Sequence, residues 1–191
     1  MRLLPGFVLG FTLIFTLSPS VSATDYRGDC TIVFHGSSTL HDFQGKAGCQ
    51  PFTVSKIDGV IDMSKVSVAI ADMDTHNAKR DKKMREMFEE DRFPVITGSA
   101  GVVALKDIRA SITREKGADS GKVGFTLKIR EIAKPVTATV TNVVETDSRI
   151  TADLAFTLSL AEYRLKPPSV LGVISVDDKV SVTATVVLDS K

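Results

Sequence analysis

Apolar and polar residues alternate over long stretches of this chain. Val123, Phe125, Leu127 and Ile129 are interleaved with Gly124, Thr126 and Lys128. Ile150, Ala152, Leu154, Phe156, Leu158 and Leu160 alternate with Thr151, Asp153, Ala155, Thr157 and Ser159. Near the C-terminus Val180, Val182, Ala184, Val186 and Leu188 alternate with Lys179, Ser181, Thr183 and Thr185. A period of two sends successive side chains to opposite faces of a strand, so each stretch carries one apolar face to bury. The abundance of Val, Ile, Thr and Phe suits strands as well. Further strands are expected over 31–36, 41–50, 57–63, 65–73, 94–105, 107–114 and 134–146. Lys116-Gly117-Ala118-Asp119-Ser120-Gly121 and Asp147-Ser148 read as turns between them. Only Asn77 to about Asp91 has a helical period, with Met84, Met87 and Phe88 on one stripe and Pro94 ending it.

Many strands with short connections and one short helix predict an all-β fold. About eight long strands favour an antiparallel up-and-down β-barrel over a sandwich. An eight-stranded barrel is either filled by its own side chains or holds one small ligand. The inward positions are mostly medium-sized and the chain has no Trp. That composition is compatible with either interior. The candidates for lining it are Val68, Ile70, Phe125, Leu127, Leu154, Phe156 and Leu158, each of which also suits plain core.

The first residues follow a different logic. Arg2 supplies a positive start, an apolar run extends from Phe7 to Leu17, and Ser18-Pro19-Ser20 breaks it before Val21-Ser22-Ala23. This is the pattern of a secretory signal peptide over residues 1–23, with cleavage after Ala23 and a domain over 24–191. The apolar run is about eleven residues, whereas a bilayer span needs ~20, so no membrane span is expected after cleavage. Cleavage removes Arg2 and leaves basic and acidic residues balanced at 23 each. That balance counts against a nucleic-acid partner; a homodimer is left open.

Export also bears on Cys30 and Cys49, the only cysteines. They lie equally far from a hairpin centred near Thr39 and face an oxidising compartment, periplasmic or extracellular. A cross-strand disulfide is expected, the alternative being two buried free thiols.

Three ordered stretches resemble a known family. The first runs from Met73-Asp74-Thr75 through Arg80-Asp81 to Met87-Phe88 and then Phe93-Pro94-Val95-Ile96. The second is Phe125-Thr126-Leu127-Lys128-Ile129-Arg130-Glu131-Ile132-Ala133-Lys134-Pro135-Val136. The third is Leu158 to Leu171, with Lys166-Pro167-Pro168-Ser169. The start, Gly36-Ser37-Ser38-Thr39-Leu40-His41-Asp42-Phe43, is similar to one branch of the same family. In that order they resemble the YceI-like family. The resemblance implies a lipocalin-like barrel in an exported bacterial protein whose tunnel holds a long-chain isoprenoid or similar amphiphilic lipid. It also implies that Arg80 and Asp81 pin the helix to the barrel rim.

Signs of chemistry are sparse. His35, His41 and His76 are the only histidines. His35, His41 and Asp42 make a metal site conceivable, but the spacing matches no strong motif. Ser37 or Ser38 with His41 and Asp42 contains a triad's residue types without a nucleophile elbow, and the same residues suit a turn. The mixed charges from Lys79 to Arg92 read as a solvated helix face. No cofactor, metal or catalytic set is expected. The sequence therefore reads as an exported binding protein rather than an enzyme, the alternative being a ligand-free structural or stress-related protein with a filled barrel.

Overall fold

The structure, a computed structural model, describes residues 23–115, 118–167 and 176–191. The expected leader up to Ser22, the turn residues Lys116 and Gly117, and Pro168 to Leu171 of the third family-like stretch lie outside the described residues. The strands are β1 (Ala23–Ser37), β2 (Asp42–Gly48), β3 (Phe52–Ile57), β4 (Val60–Met63), β5 (Val66–Ala69), β6 (Val95–Ser99), β7 (Gly101–Ala104), β8 (Thr113–Glu115), β9 (Ala118–Ile129), β10 (Ile132–Glu145), β11 (Arg149–Ser159) and β12 (Lys179–Ser190). Two helices join them, α1 (Ala78–Phe88) and α2 (Leu105–Ser111).

These strands form one antiparallel sheet in the order β5-β6-β9-β10-β11-β12-β1-β3-β4-β7, with β2 also on β1 and β8 on β9. The sheet curls strongly into a half-barrel of the lipocalin-like type. Single bridges between Cys49 and Val68 and between Lys46 and Asp74 stitch the β2 side to the β5 side.

The three longest alternating patterns become β9, β11 and β12, paired through β10 in unbroken or nearly unbroken register. Elsewhere short turns divide what the pattern runs together. Asp58 and Gly59, at φ 50° and 78°, split 57–63 into β3 and β4, the tight Asp-Gly hairpin that favours left-handed residues. Gly101, at φ 61°, opens β7 just after β6 ends at Ser99, and the two strands then take different partners, β6 on β5 and β9 and β7 on β4. Residues 105–111 form α2 where a strand is expected from 107. Leu105 and Ile108 stand at helical spacing, Leu105 is buried, and Lys106, Arg109 and Ala110 favour a helix. Helix α1 stops at Phe88, before Asp91, because Glu89 turns left-handed at φ 55°.

Strand β1 organises the interior by changing partners. Ala23–Gly28 pair with β3, and Thr31–Ser37 pair with β2. The β1–β2 register runs from Ser37 opposite Asp42 to Thr31 opposite Gly48, which brings Cys30 and Cys49 face to face. They form the expected disulfide, with Cα atoms 5.1 Å apart. Two buried clusters lie on either side of this junction. One gathers Phe34, Ile70, Met84, Phe88, Leu127, Ile129, Leu160, Tyr163, Leu165 and Val182. The other gathers Tyr26, Val54, Ile61, Leu105, Ile150 and Leu188.

Candidate functional site

The first cluster encloses a cavity of about 180 Å³. Its wall comes from the inward faces of the sheet and from α1. Period two along β11 aims Phe156 and Leu158 into it, and the same rule aims Leu127 from β9, Val180 and Val182 from β12, and Ile32 and Phe34 from β1. Val68 faces it from β5. Met84, Met87 and Phe88, the apolar stripe of α1, cover it.

Four of the seven interior candidates therefore meet in this wall: Val68, Leu127, Phe156 and Leu158. Three stand elsewhere. Ile70 is fully buried in the turn after β5 and packs in the surrounding cluster. Phe125 stacks edge-on against Phe156, ring centroids 5.2 Å apart, and so supports the wall from beside it. Leu154 shares the face of Phe156 but lies further along β11, opposite Val140 and Ala184, toward the second cluster.

The contributions of β1, β12 and α1 lie outside the seven interior candidates. Val180 and Val182 carry the same alternation as β11. The Met84-Met87-Phe88 stripe marks a buried helix face. Phe34 falls in the expected strand 31–36, and Gly45 lies opposite it across β1–β2. The Phe34 ring fills the space where a side chain at 45 would stand; a Cβ there would lie 2.1 Å from Phe34 Cζ.

One charged residue belongs to the wall. Arg80 stands half-buried in the first turn of α1, with its guanidinium 4.7 Å above the Phe43 ring. Its Nε donates to Thr75 Oγ1 at 2.8 Å and its Nη2 to the Thr75 carbonyl at 2.9 Å. Asp81, buried, accepts from the Thr75 amide at 3.0 Å and from the Thr75 hydroxyl at 2.5 Å. Asn77 caps the same turn through the amides of Lys79 and Arg80, both at 3.1 Å. Arg80 and Asp81 thus fasten the start of α1 to the preceding turn.

The other end of α1 is fastened by charge. Glu89 pairs with Arg130, whose Nη2 also donates to the Arg164 carbonyl at 3.2 Å. Behind these lies Tyr163, whose hydroxyl is buried with no hydrogen-bond partner among the described residues. Burial, and secondarily the nearby Glu162 charge, push the Tyr163 phenol above its usual range. Asp178 secures the turn after β11; the Ser159 hydroxyl and the Ala161 amide hold its carboxyl below the usual range.

The polar residues of the first hairpin are occupied by the turn itself. Ser37 Oγ donates to Asp42 at 2.6 Å, and Ser38 Oγ donates to the His41 carbonyl at 2.8 Å. His35, His41 and His76 are all exposed, and His76 lies 3.1 Å from Asp74. Among the described residues no three His, Cys, Asp or Glu side chains converge as metal ligands would. No helix among them is long and apolar enough to cross a membrane.

A model of the YceI-like domain matches residues 15–188. The chain belongs to the YceI-like family. Two solved structures resemble it in fold. A polyisoprenoid-binding domain from Saccharophagus degradans, implicated in plant cell wall breakdown, superposes with a TM-score of 0.63 at 13% identity, over 89% of this chain and 100% of that one. BcnA of Burkholderia cenocepacia gives 0.56 at 15% identity, over 83% of this chain and 95% of its own. None of the curated proteins compared with the chain matches it. Membership of the YceI-like family agrees with the three ordered stretches read from the sequence.

Proposed function

We propose that this protein is an exported carrier that holds a polyisoprenoid or similar amphiphilic lipid in the cavity beneath α1, and that it performs no catalysis. The observation that carries this reading is the wall itself, which is apolar at every residue but Arg80. Such a wall offers a ligand no set of hydrogen bonds; it offers area. Each CH₂ taken from water favours binding by roughly 0.8 kcal/mol, so a long chain binds well there without polar contacts. The name of the Saccharophagus domain, a polyisoprenoid-binding protein of similar fold, points the same way.

In this reading Val68, Leu127, Phe156 and Leu158 touch the chain of the ligand. Ile70, Phe125 and Leu154 hold the wall or extend its apolar face. Residues 1–23 act as a signal peptide, and the disulfide suits the periplasm or the exterior. Native mass spectrometry of protein purified from its own host, with identification of the extracted lipid, tests the reading. A stoichiometric lipid adduct supports it, and protein that carries none in any preparation refutes it. N-terminal sequencing of exported protein is expected to begin at Thr24; retained residues 1–23 would reject the export step alone.

A further inference from the structure

The charges of α1 run against its dipole. Lys79, Arg80, Lys82 and Lys83 crowd its first two turns, where the helix end is already positive. Glu86, Glu89, Glu90 and Asp91 follow, toward and beyond its negative end. Helix stability does not account for that order. The two halves also differ in how their charges are used. In the acidic half Glu89 pairs with Arg92 and Arg130, and Glu90 pairs with Arg85. In the basic half Lys83 pairs with Glu86, whereas Lys79 and Lys82 enter no ion pair among the described residues. All three lysines are exposed.

The basic half borders the hollow end of the molecule. Arg80 lies over the Phe43 ring, and both are half-buried residues of the cavity wall. Phe43 stands opposite Gly36 near the end of the β1–β2 ladder, and the hairpin tip beyond it carries Leu40, 67% exposed. The first turns of α1 and this tip therefore flank one edge of the cavity. Carboxylates along that edge are engaged locally. Asp42 accepts from the Ser37 hydroxyl at 2.6 Å, and Asp74 accepts from the His76 amide at 2.7 Å. Basic and acidic residues balance over residues 24–191, so the exposed lysines are a local excess.

We propose that this edge is a docking face for an anionic lipid bilayer, with Lys79, Lys82 and Lys83 against the charged surface and Leu40 entering the interface. The match is one of charge and of polarity. A basic patch gains from an anionic surface, and an exposed leucine at a loop tip gains by leaving water. A protein without net charge has no overall attraction to such a surface, so the patch also sets the orientation, cavity edge first. Docking there brings the cavity to a lipid phase and so extends the carrier reading; binding to vesicles is read apart from any cargo, and each can fail alone.

Flotation of the full mature chain with vesicles tests it. Vesicles of phosphatidylcholine are compared with an equal mixture of phosphatidylcholine and phosphatidylglycerol at low salt. The wild type is expected to partition at least about tenfold more strongly onto the mixed vesicles and to lose the difference at high salt. Lys79→Gln combined with Lys82→Gln is expected to weaken that binding by about fivefold per lysine. Both lysines oppose the helix dipole, so this variant should melt no lower than wild type. Leu40→Ser, outside the helix, is expected to weaken binding by about fivefold with its salt dependence unchanged, and it remains decisive if the lysine variant fails to fold. Lys128→Gln combined with Lys134→Gln removes the same charge from exposed positions on the sheet and should leave binding within about twofold. Equal partitioning of the wild type onto both kinds of vesicle overturns the proposal. Equal losses in the two lysine pairs also overturn it, because the attraction is then one of total charge. Binding that survives in both the folded lysine variant and Leu40→Ser places the contact elsewhere and overturns it. No binding to either vesicle overturns it as well, and turns the search for a partner of the basic edge to acidic proteins.

Discussion

The same strands build two different interiors. Toward one end, β1, β11 and β12 contribute Ile32, Phe34, Phe156, Leu158, Val180 and Val182, and these surround a cavity. Toward the other end the same three strands contribute Tyr26, Ile150, Val186 and Leu188, which close on Val54, Ile61 and Leu105 in a packed cluster. Both interiors are apolar and both obey period two. The difference lies in what crosses the sheet. At the packed end β1 leaves β2 for β3, β4 and β7 follow, and α2 drives Leu105 into the centre. At the hollow end α1 lies over the opening and is tethered at both ends, by Thr75 with Asp81 and by Glu89 with Arg130. The half-barrel is thus stabilised at one end, which frees the other to hold space.

The largest effect is expected at the packed end. Leu188→Ala removes a buried side chain from a full cluster and is expected to cost ~2–5 kcal/mol. Its thermal melt should fall by many degrees, while lipid bound per folded molecule stays near wild type. A loss of lipid without loss of stability would show that the two ends are not separate.

Next is the junction. Replacing both cysteines by Ala unties Cys30 from Cys49 and is expected to cost ~3 kcal/mol, the chain-entropy value for a loop of this size. Chemical denaturation with and without reductant checks it, and reductant should leave the variant unmoved.

A third change strikes the hollow end through its wall. Gly45→Ala puts a Cβ 2.1 Å from Phe34 Cζ, so this ring of the cavity wall must shift. Overpacking of this kind costs ~1–3 kcal/mol and should weaken lipid binding in the same variant. Gly28→Ala is the matched control. Its Cβ would lie 2.2 Å from Phe52 Cε2, at the packed end, so it should destabilise without touching the bound lipid.

These cases also show how much of the molecule was legible in the sequence. Strands β11 and β12, and β9 from Val123 onward, follow from alternation alone; residues 118–121, which read as part of a turn, instead extend β9. The disulfide follows from hairpin symmetry. The count of strands was not legible in the same way, since Asp58-Gly59 and Gly101 interrupt runs whose composition continues across them. Helix α2 was hidden in a run too short for its helical period to stand out against neighbouring strands. At the site, β11 and β9 announced Phe156, Leu158 and Leu127. Phe34 lies in the expected strand 31–36, but the space that its ring fills is set by Gly45 across the sheet, a relation between distant residues. Arg80 and Asp81 were legible through the family resemblance as the pair that fastens α1, but the Thr75 hydroxyl that joins them appears only in the fold.

The smallest expected effect is electrostatic and belongs to the packed end. Glu145 is held by Lys56 and then by Arg109, and these bonds keep its carboxyl below the usual glutamate range. A depressed folded value means that the pair contributes stability above the usual carboxylate range and loses it as pH falls through the depressed value. Partly exposed pairs of this kind contribute ~0.2–1 kcal/mol. Glu145→Gln should therefore narrow the difference between melts at neutral and acid pH, and leave the lipid in place.

Whether the hollow end keeps its space for a ligand is asked most directly by Leu158→Trp. The larger side chain should occupy cavity space, so the variant should melt within ~1 kcal/mol of wild type and, isolated from the native host, carry much less lipid by native mass spectrometry. A variant that is strongly destabilised, set beside a wild type that carries no lipid, would mean that the first cluster is an ordinary core and would contradict the account.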